Sequence, residues 1–432
     1  MQGRLSPFQI GLLLAFVIFI IAGVGFLALS GSFQSGSKAN LVMWGTAPES
    51  ALVPVIERIS QATDLPYTLS YVSKDKDRFA QDFLEALATG QGPDLIFLPQ
   101  DSILRDRNKL FTVPFDTYSA RDFQDTFIEE GELYLEPGGI LAFPVAVDPL
   151  VMYWNRDILS SVGVATPPKR WEEIVSLARR VNEVDSNFNV KRSVAALGEF
   201  SNIEHAKEIL ATLIMQAGGK LAVRDGNTVR AALTDVAAEQ FPPTQSGLGF
   251  FTEFSNPVKQ VYSWNKSMPE AQDAFISGTT AVYFGFGSEL RQLRERNPNL
   301  NFDIALIPQT STTGGRLTFG NMMGIAIVAQ TPDPAAALSA VYDLTIGELT
   351  EQLVAGLDLT PARRDLLSTA PTNAYGPVLY ESALVTRGWL DPDPAVSEVI
   401  LSVMTAEVTS GRALLSEAID RAQSKLAALF QQ

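Results

Sequence analysis

Apolar residues follow two different patterns along the chain. Residues 10–29 are an unbroken run of apolar residues and glycines. As a helix rising about 1.5 Å per residue, such a run spans the roughly 30 Å hydrocarbon core of a bilayer. The pattern predicts a retained N-terminal transmembrane helix. A cleavable signal peptide is the competing reading, because Ala28, Leu29 and Ser30 offer a small-residue cleavage site. The run is longer than a typical secretory apolar region, which favours the anchor. Arg4 precedes it and Lys38 is the first basic residue after it, which places the N-terminus in the cytoplasm and the bulk of the chain outside. Residues 30–40 (SGSFQSGSKAN) have the composition of a flexible polar tether.

Beyond the tether, short apolar runs alternate with segments of helical period. Residues 41–44, 67–72 and 94–98 read as strands. Between them, residues 50–63 place Leu52, Val53, Ile56 and Ile59 on one helical face. Residues 75–89 do the same with Phe79, Phe83, Leu84 and Leu87, and Gly90 is the natural stop. This βαβαβ order predicts a parallel sheet with helices on its faces. Ligands on such sheets sit beyond the carboxyl ends of the strands, here the loops 45–49 and 99–102. After Asp148 helices become more frequent, at 171–182, 204–217 and 414–429, with strands returning at 281–284, 302–307 and 324–328. Ser267 and Glu270 have capping-box spacing, and Asp333-Pro334 and Asp393-Pro394 each read as a cap followed by proline at the first helical position.

Composition narrows the function classes. The net charge is −15, from 48 acidic and 33 basic residues, without a dense basic block, which argues against nucleic acid as a partner. The absence of cysteine excludes disulfides, zinc-thiolate sites, Cys nucleophiles and an acylated lipoprotein anchor. His205 is the single histidine, so a multi-His metal site is excluded. With no phosphate loop, metal cluster or nucleophile motif, neither a cofactor nor an enzymatic activity is expected.

Four segments carry a resemblance: DLIFLPQD (94–101), FPVAVDPLVMYWNRD (143–157) followed by PKRWEEI (168–174), FISGTTAVY (275–283) and SGRALLSEAIDRAQ (410–423). In this order and spacing, they resemble the family 1 extracellular solute-binding proteins of ABC importers, the maltose-binding-protein-like group, over about residues 41–430. The resemblance implies an α/β, two-lobed periplasmic-binding-protein-like fold of type II, closing on a ligand. It puts residues 39–147 and 287–329 in one lobe and 148–286 and 330–432 in the other, with 1–38 as anchor and tether. A monomer that serves permease subunits is implied.

Sugar sites need acceptors for hydroxyl pairs and flat aromatic faces. Asp148 follows an apolar strand and falls where the family pattern has a sugar-binding carboxylate; a hinge-turn role is the alternative. Asp101 also falls on a sugar-binding position, with capping of a short helix as its alternative. Glu49 and Trp44 flank the first strand–helix loop, and Trp264 and Trp389 lie on irregular segments, where aromatics more often face ligands. Tyr153, Asn202 and Asn321 complete the expected set. Leu98, Ser288 and Glu398 stand where maltose-binding protein has stacking Trp residues, so its particular platform is absent. The expected function is capture of a small polar solute, a sugar or oligosaccharide, for import. A membrane-tethered sensor and, remotely, a glycosidase using Asp101 and Asp148 are the alternatives.

Overall fold

The structure is a computed structural model that describes residues 38–61, 65–236, 241–310, 315–369 and 371–431. The first lobe opens with β1 (Ala39–Gly45), α1 (Glu49–Ser60), β2 (Tyr67–Ser73), α2 (Phe79–Ala88) and β3 (Leu95–Pro99). β1 pairs in parallel with both β2 and β3, as the βαβαβ pattern requires. α1 buries Leu52, Ile56 and Ile59, and α2 buries Phe79, Phe83 and Leu87. Leu84, expected on that buried face, is exposed.

Two paired strands cross between the lobes. β4 (Phe143–Asn155) runs 13 residues, and Asp148 is its only position that is not fully buried. A strand covered on both faces reads as a continuous apolar run, which FPVAV and PLVMYW supply. Val147 joins the first core and Leu150 the second, so the lobes meet at Asp148 and Pro149. The second lobe adds α3 (Trp171–Val181), β5 (Val190–Ala195), α4 (Ala206–Gln216) and β6 (Thr280–Phe286), then α5 (Leu290–Arg296) and β7 (Phe302–Leu306). β6 and β7 flank the second half of β4, both antiparallel to it. The chain then returns through β8 (Thr318–Val328), which pairs antiparallel with the first half of β4 and with β3. The final elements are α6 (Pro334–Thr345), α7 (Gly376–Ala383), α8 (Pro394–Thr409) and α9 (Leu415–Leu429).

The division of the later chain differs from the expected one. Leu293, Phe302, Ile304 and Ile307 pack in the second core, because β7 pairs with β4 beyond the crossover. Ala337, Ala340, Val341, Leu344, Leu353 and Leu367 pack in the first, and α8 and α9 rejoin the second. Helical period reveals that a helix has an apolar face, not which core receives it. The proline-started helices form as expected: α6 begins at Pro334 and α8 at Pro394, where the Asp393 side chain accepts from Val396 N at 3.1 Å. Ser267 caps no helix. Its backbone N–H and hydroxyl both donate to Asn265 Oδ1, and the next helix starts at Ala271.

Among the described residues no helix is long and apolar enough to cross a membrane. The expected anchor at 10–29 and most of the tether lie outside the described residues.

Candidate ligand-binding site

Asp148 lies in the middle of the strand that joins the lobes. In the β4–β8 ladder it stands directly opposite Asn321, an exposed residue, and Pro149 stands opposite Gly320. Asp148 Oδ1 accepts from the backbone N–H of Ser288, at 3.0 Å, just past the carboxyl end of β6. Burial pushes the Asp148 pKa up to about 6; the Ser288 bonds and nearby His205 pull it down, and Glu289 adds to the rise.

The loop after β3 is tied to the same crossover. Gln100 Nε2 donates to Gly320 O at 2.7 Å, and its Oε1 accepts from Met322 N at 3.2 Å. Asp101, the next residue, is exposed and accepts from the Ser102 hydroxyl at 3.2 Å; it does not cap the short helical turn it belongs to. Glu49 is exposed in the first turn of α1, where its charge also suits the helix N-terminus. Asp148, Asn321, Asp101 and Glu49 therefore all lie at the carboxyl end of the first lobe's parallel strands.

Five expected ligand residues are interior instead. Trp264 is fully buried, and its indole N–H donates to Asn202 Oδ1 at 3.0 Å. Asn202 spends its amide hydrogens on Asn265 O and Met268 O, so the pair organises a second-lobe loop. Tyr153 is buried, and its hydroxyl donates to Phe286 O at 2.6 Å. Trp44 belongs to the first core, with the Lys74 ammonium 3.8 Å from the ring centroid. Trp389 belongs to the second core and lines a different inter-lobe recess of about 690 Å³. A loop aromatic reads alike in sequence whether its ring lies over the surface or is tucked beneath it. For Trp264 and Tyr153 the bonded N–H and O–H groups make burial favourable.

A cleft of about 1290 Å³ opens at Asp148. Ser288, Arg156, Arg291 and Arg294 line it from the second lobe, and Thr360, Asn373, Tyr375 and Tyr380 line it too. None of these was singled out as a binding residue from the sequence, although the loop PTNAYG (371–376) has the Pro, Asn and Gly content that accompanies a presented aromatic. Next to Ser288, Glu289 accepts from Phe286 N, Tyr283 Oη, Gln272 Nε2 and His205, at 2.6–2.7 Å. Burial alone would lower the His205 pKa, but its Glu289 partner and neighbouring carboxylates raise it; the same bonds lower that of Glu289 against its burial.

The crossover also holds Glu130. Its carboxyl is buried without a hydrogen bond of normal geometry, and burial pushes its pKa up to about 7, with Thr386, Arg387 and Gln100 close enough to offset part of the rise. A Cβ at Gly320 would lie 2.2 Å from Glu130 Oε2, and one at Gly388 2.7 Å from Oε1. Glycine at both positions makes room for this side chain.

Comparison with known proteins agrees with this architecture. The family model of the bacterial extracellular solute-binding proteins matches residues 44–341. The chain belongs to that family, whose members are binding proteins of ABC transporters. Curated relatives include binding proteins of Brucella abortus (strain 2308) and Brucella suis biovar 1 (strain 1330), each 21% identical over 306 residues, 70% of this chain and 70% of the relative. Among solved structures, a cyclo/maltodextrin-binding protein complexed with maltotetraose superposes with a TM-score of 0.74 at 14% identity, covering 92% of this chain and 99% of that one. The GacH receptor of Streptomyces glaucescens, solved unliganded and with acarbose, gives 0.67 at 16%, over 92% and 99%. A solute-binding protein of Thermotoga lettingae bound to α-D-tagatose gives 0.63 at 16%, over 91% and 100%. At these identities the likeness establishes the fold.

Proposed function

We propose that this chain is the extracytoplasmic receptor of an ABC importer, held at the membrane by residues 10–29, and that it captures a sugar or oligosaccharide between its lobes. The observation that carries the reading is the position of Asp148, an acidic residue at the junction of two cores, with its carboxyl at the base of the inter-lobe cleft. A carboxylate there accepts hydrogen bonds from paired hydroxyls, and such charge-assisted bonds are about twice as strong as neutral ones. The sugars and sugar analogues bound by structurally similar proteins support the same ligand class.

Thermal denaturation of the full chain in detergent against sugars, polyols, polyamines and phosphates tests it. A ligand at 100 times its Kd stabilises by about 2.7 kcal/mol. Sugars should raise the melting temperature; a shift with only phosphates or only polyamines contradicts the reading.

A further inference from the structure

Glu130 lies where two chain segments pass between the lobes. It belongs to the turn Glu129–Tyr134 of the first lobe, which the Tyr134 hydroxyl pins by donating to Leu98 O at 2.6 Å. One segment is β8, which leaves the second core at Phe319 and enters the first at Met322. The other links α7 to α8, from Ala383 in the first core to Ile400 in the second. Its Thr386 and Arg387 pair in parallel with Thr318 and Phe319 of β8. The Glu130 carboxyl sits against both segments, at Gly320 and at Gly388, where neither carries a side chain.

Both carboxyl oxygens are buried and unpaired, because the donors around them are engaged elsewhere. The Thr386 hydroxyl donates to Ala383 O at 2.9 Å, and Gln100 Nε2 to Gly320 O at 2.7 Å. The Arg387 guanidinium donates to Thr386 O and to the Glu129 carboxylate. The remaining charged groups come from each neighbouring element. Glu132 shares the turn, and Asp101 on the loop after β3 lies close enough to Tyr134 to disfavour its ionisation, as Glu130 does. β8 carries no titratable side chain, and Asp148 on β4 is next to Pro149, the ladder partner of Gly320. From the second lobe come Lys220 and Arg224, the latter paired with Glu136. Burial outweighs the nearby cations and pushes the Glu130 pKa up to about 7.

We propose that Glu130 is a proton-operated lock on lobe motion. Protonated, its carboxyl lies neutral between Gly320 and Gly388 and holds the lobe arrangement of this structure. A buried carboxylate without hydrogen bonds is costly, so the ionised form needs either water or the Arg387 guanidinium. The close approach at both glycines leaves room for neither until the two segments draw away from the turn. The adjoining recess of about 690 Å³ lies between Leu133 and Leu135 of the first lobe and Met215 and Leu221 of the second. Ionisation therefore favours a wider gap between the lobes on this side. The proton acts as a ligand with higher affinity for one arrangement, so it shifts the population toward that arrangement. The arrangement of this structure is favoured at low pH and loses ground as pH rises through about 7. The lock works without a solute, so it stands apart from the sugar-receptor reading.

The chain has no cysteine, so a spin label can be attached to each lobe at an introduced one. L84C and V258C place the labels at exposed positions of the first and second lobes. Inter-lobe distances of the full chain in detergent, without solute, are read by double electron–electron resonance at about pH 5.5, 7 and 8.5, which bracket the Glu130 titration. The distance distribution of the labelled parent should move between the extremes, with the shift about half complete near pH 7. E130Q, neutral throughout, should keep the low-pH distribution at every pH, and D148N should shift as the parent does. E130M carries the same prediction as E130Q and replaces it if the amide lowers the melting temperature. A parent distribution that does not change with pH overturns the proposal. So does a shift that persists in E130Q and E130M, or one that is lost in D148N and kept in E130Q.

Discussion

Asp148 and Asn321 face each other directly across the two strands that join the lobes. One strand leaves the first lobe and the other returns to it, and Asp148 is also bonded to the second lobe's Ser288 N–H.

Replacing Asp148 with Ala should cut sugar affinity about tenfold to a few hundredfold, from the loss of one or two charge-assisted bonds at about 1.5–3 kcal/mol each. The Ser288 N–H loses its partner, so a modest fall in melting temperature accompanies it. Because burial raises the Asp148 pKa to about 6, the carboxylate form that accepts hydroxyl bonds is depleted below that pH. Sugar affinity should therefore fall as pH drops through about 6 in the wild type and stay level in D148N. Calorimetric titration at several pH values reads both effects. An unchanged affinity with clear destabilisation would make Asp148 a hinge residue only.

Trp264 should act on stability and not on binding. Its ring is fully buried and its N–H is bonded to Asn202. W264A should destabilise by about 3–5 kcal/mol, the cost of removing a large buried aromatic. W264F should fold and retain wild-type affinity. A large affinity loss in W264F would return Trp264 to the ligand site.

Glu130 makes stability depend on pH. Its folded pKa, about 7, lies above the ordinary 4.5, so between these values folding takes up a proton. Stability is full below about pH 4.5, falls as pH rises toward 7 and levels above it, a total of roughly 3 kcal/mol at 1.36 kcal/mol per unit. E130Q keeps the shape of the side chain, so it should lose this part of the slope and melt higher than the wild type at pH 8. Equal slopes in the two proteins would contradict the assignment.

The membrane reading has its own test. With a bilayer-length apolar run at 10–29 and no cysteine to acylate, the mature protein should stay in the membrane fraction with its N-terminus intact. Intact mass after detergent extraction decides it. A soluble product starting near Gly31 would establish cleavage instead.

The fold was legible where local pattern and topology coincide. The βαβαβ start needs only periods of 2 and 3.6 and a few stops, and the all-apolar β4 with one acidic interruption marks the crossover by itself. The later lobe boundaries were not legible, because α6 and α8 carry similar apolar faces and pack in different cores. At the site, the exposed acidic residues lie where strand ends put them. The aromatics could not be sorted from sequence, since the bond between Trp264 and Asn202 joins residues 62 positions apart.

Small-angle scattering on the full chain in detergent, with and without saturating maltotetraose, tests the central claim most directly when Asp148→Ala is measured beside the wild type. Capture between closing lobes predicts a smaller radius of gyration for the wild type with sugar, and no change for D148A at the same sugar concentration. A wild-type protein that binds the sugar with no change in dimensions, or a D148A protein that contracts as the wild type does, would contradict it.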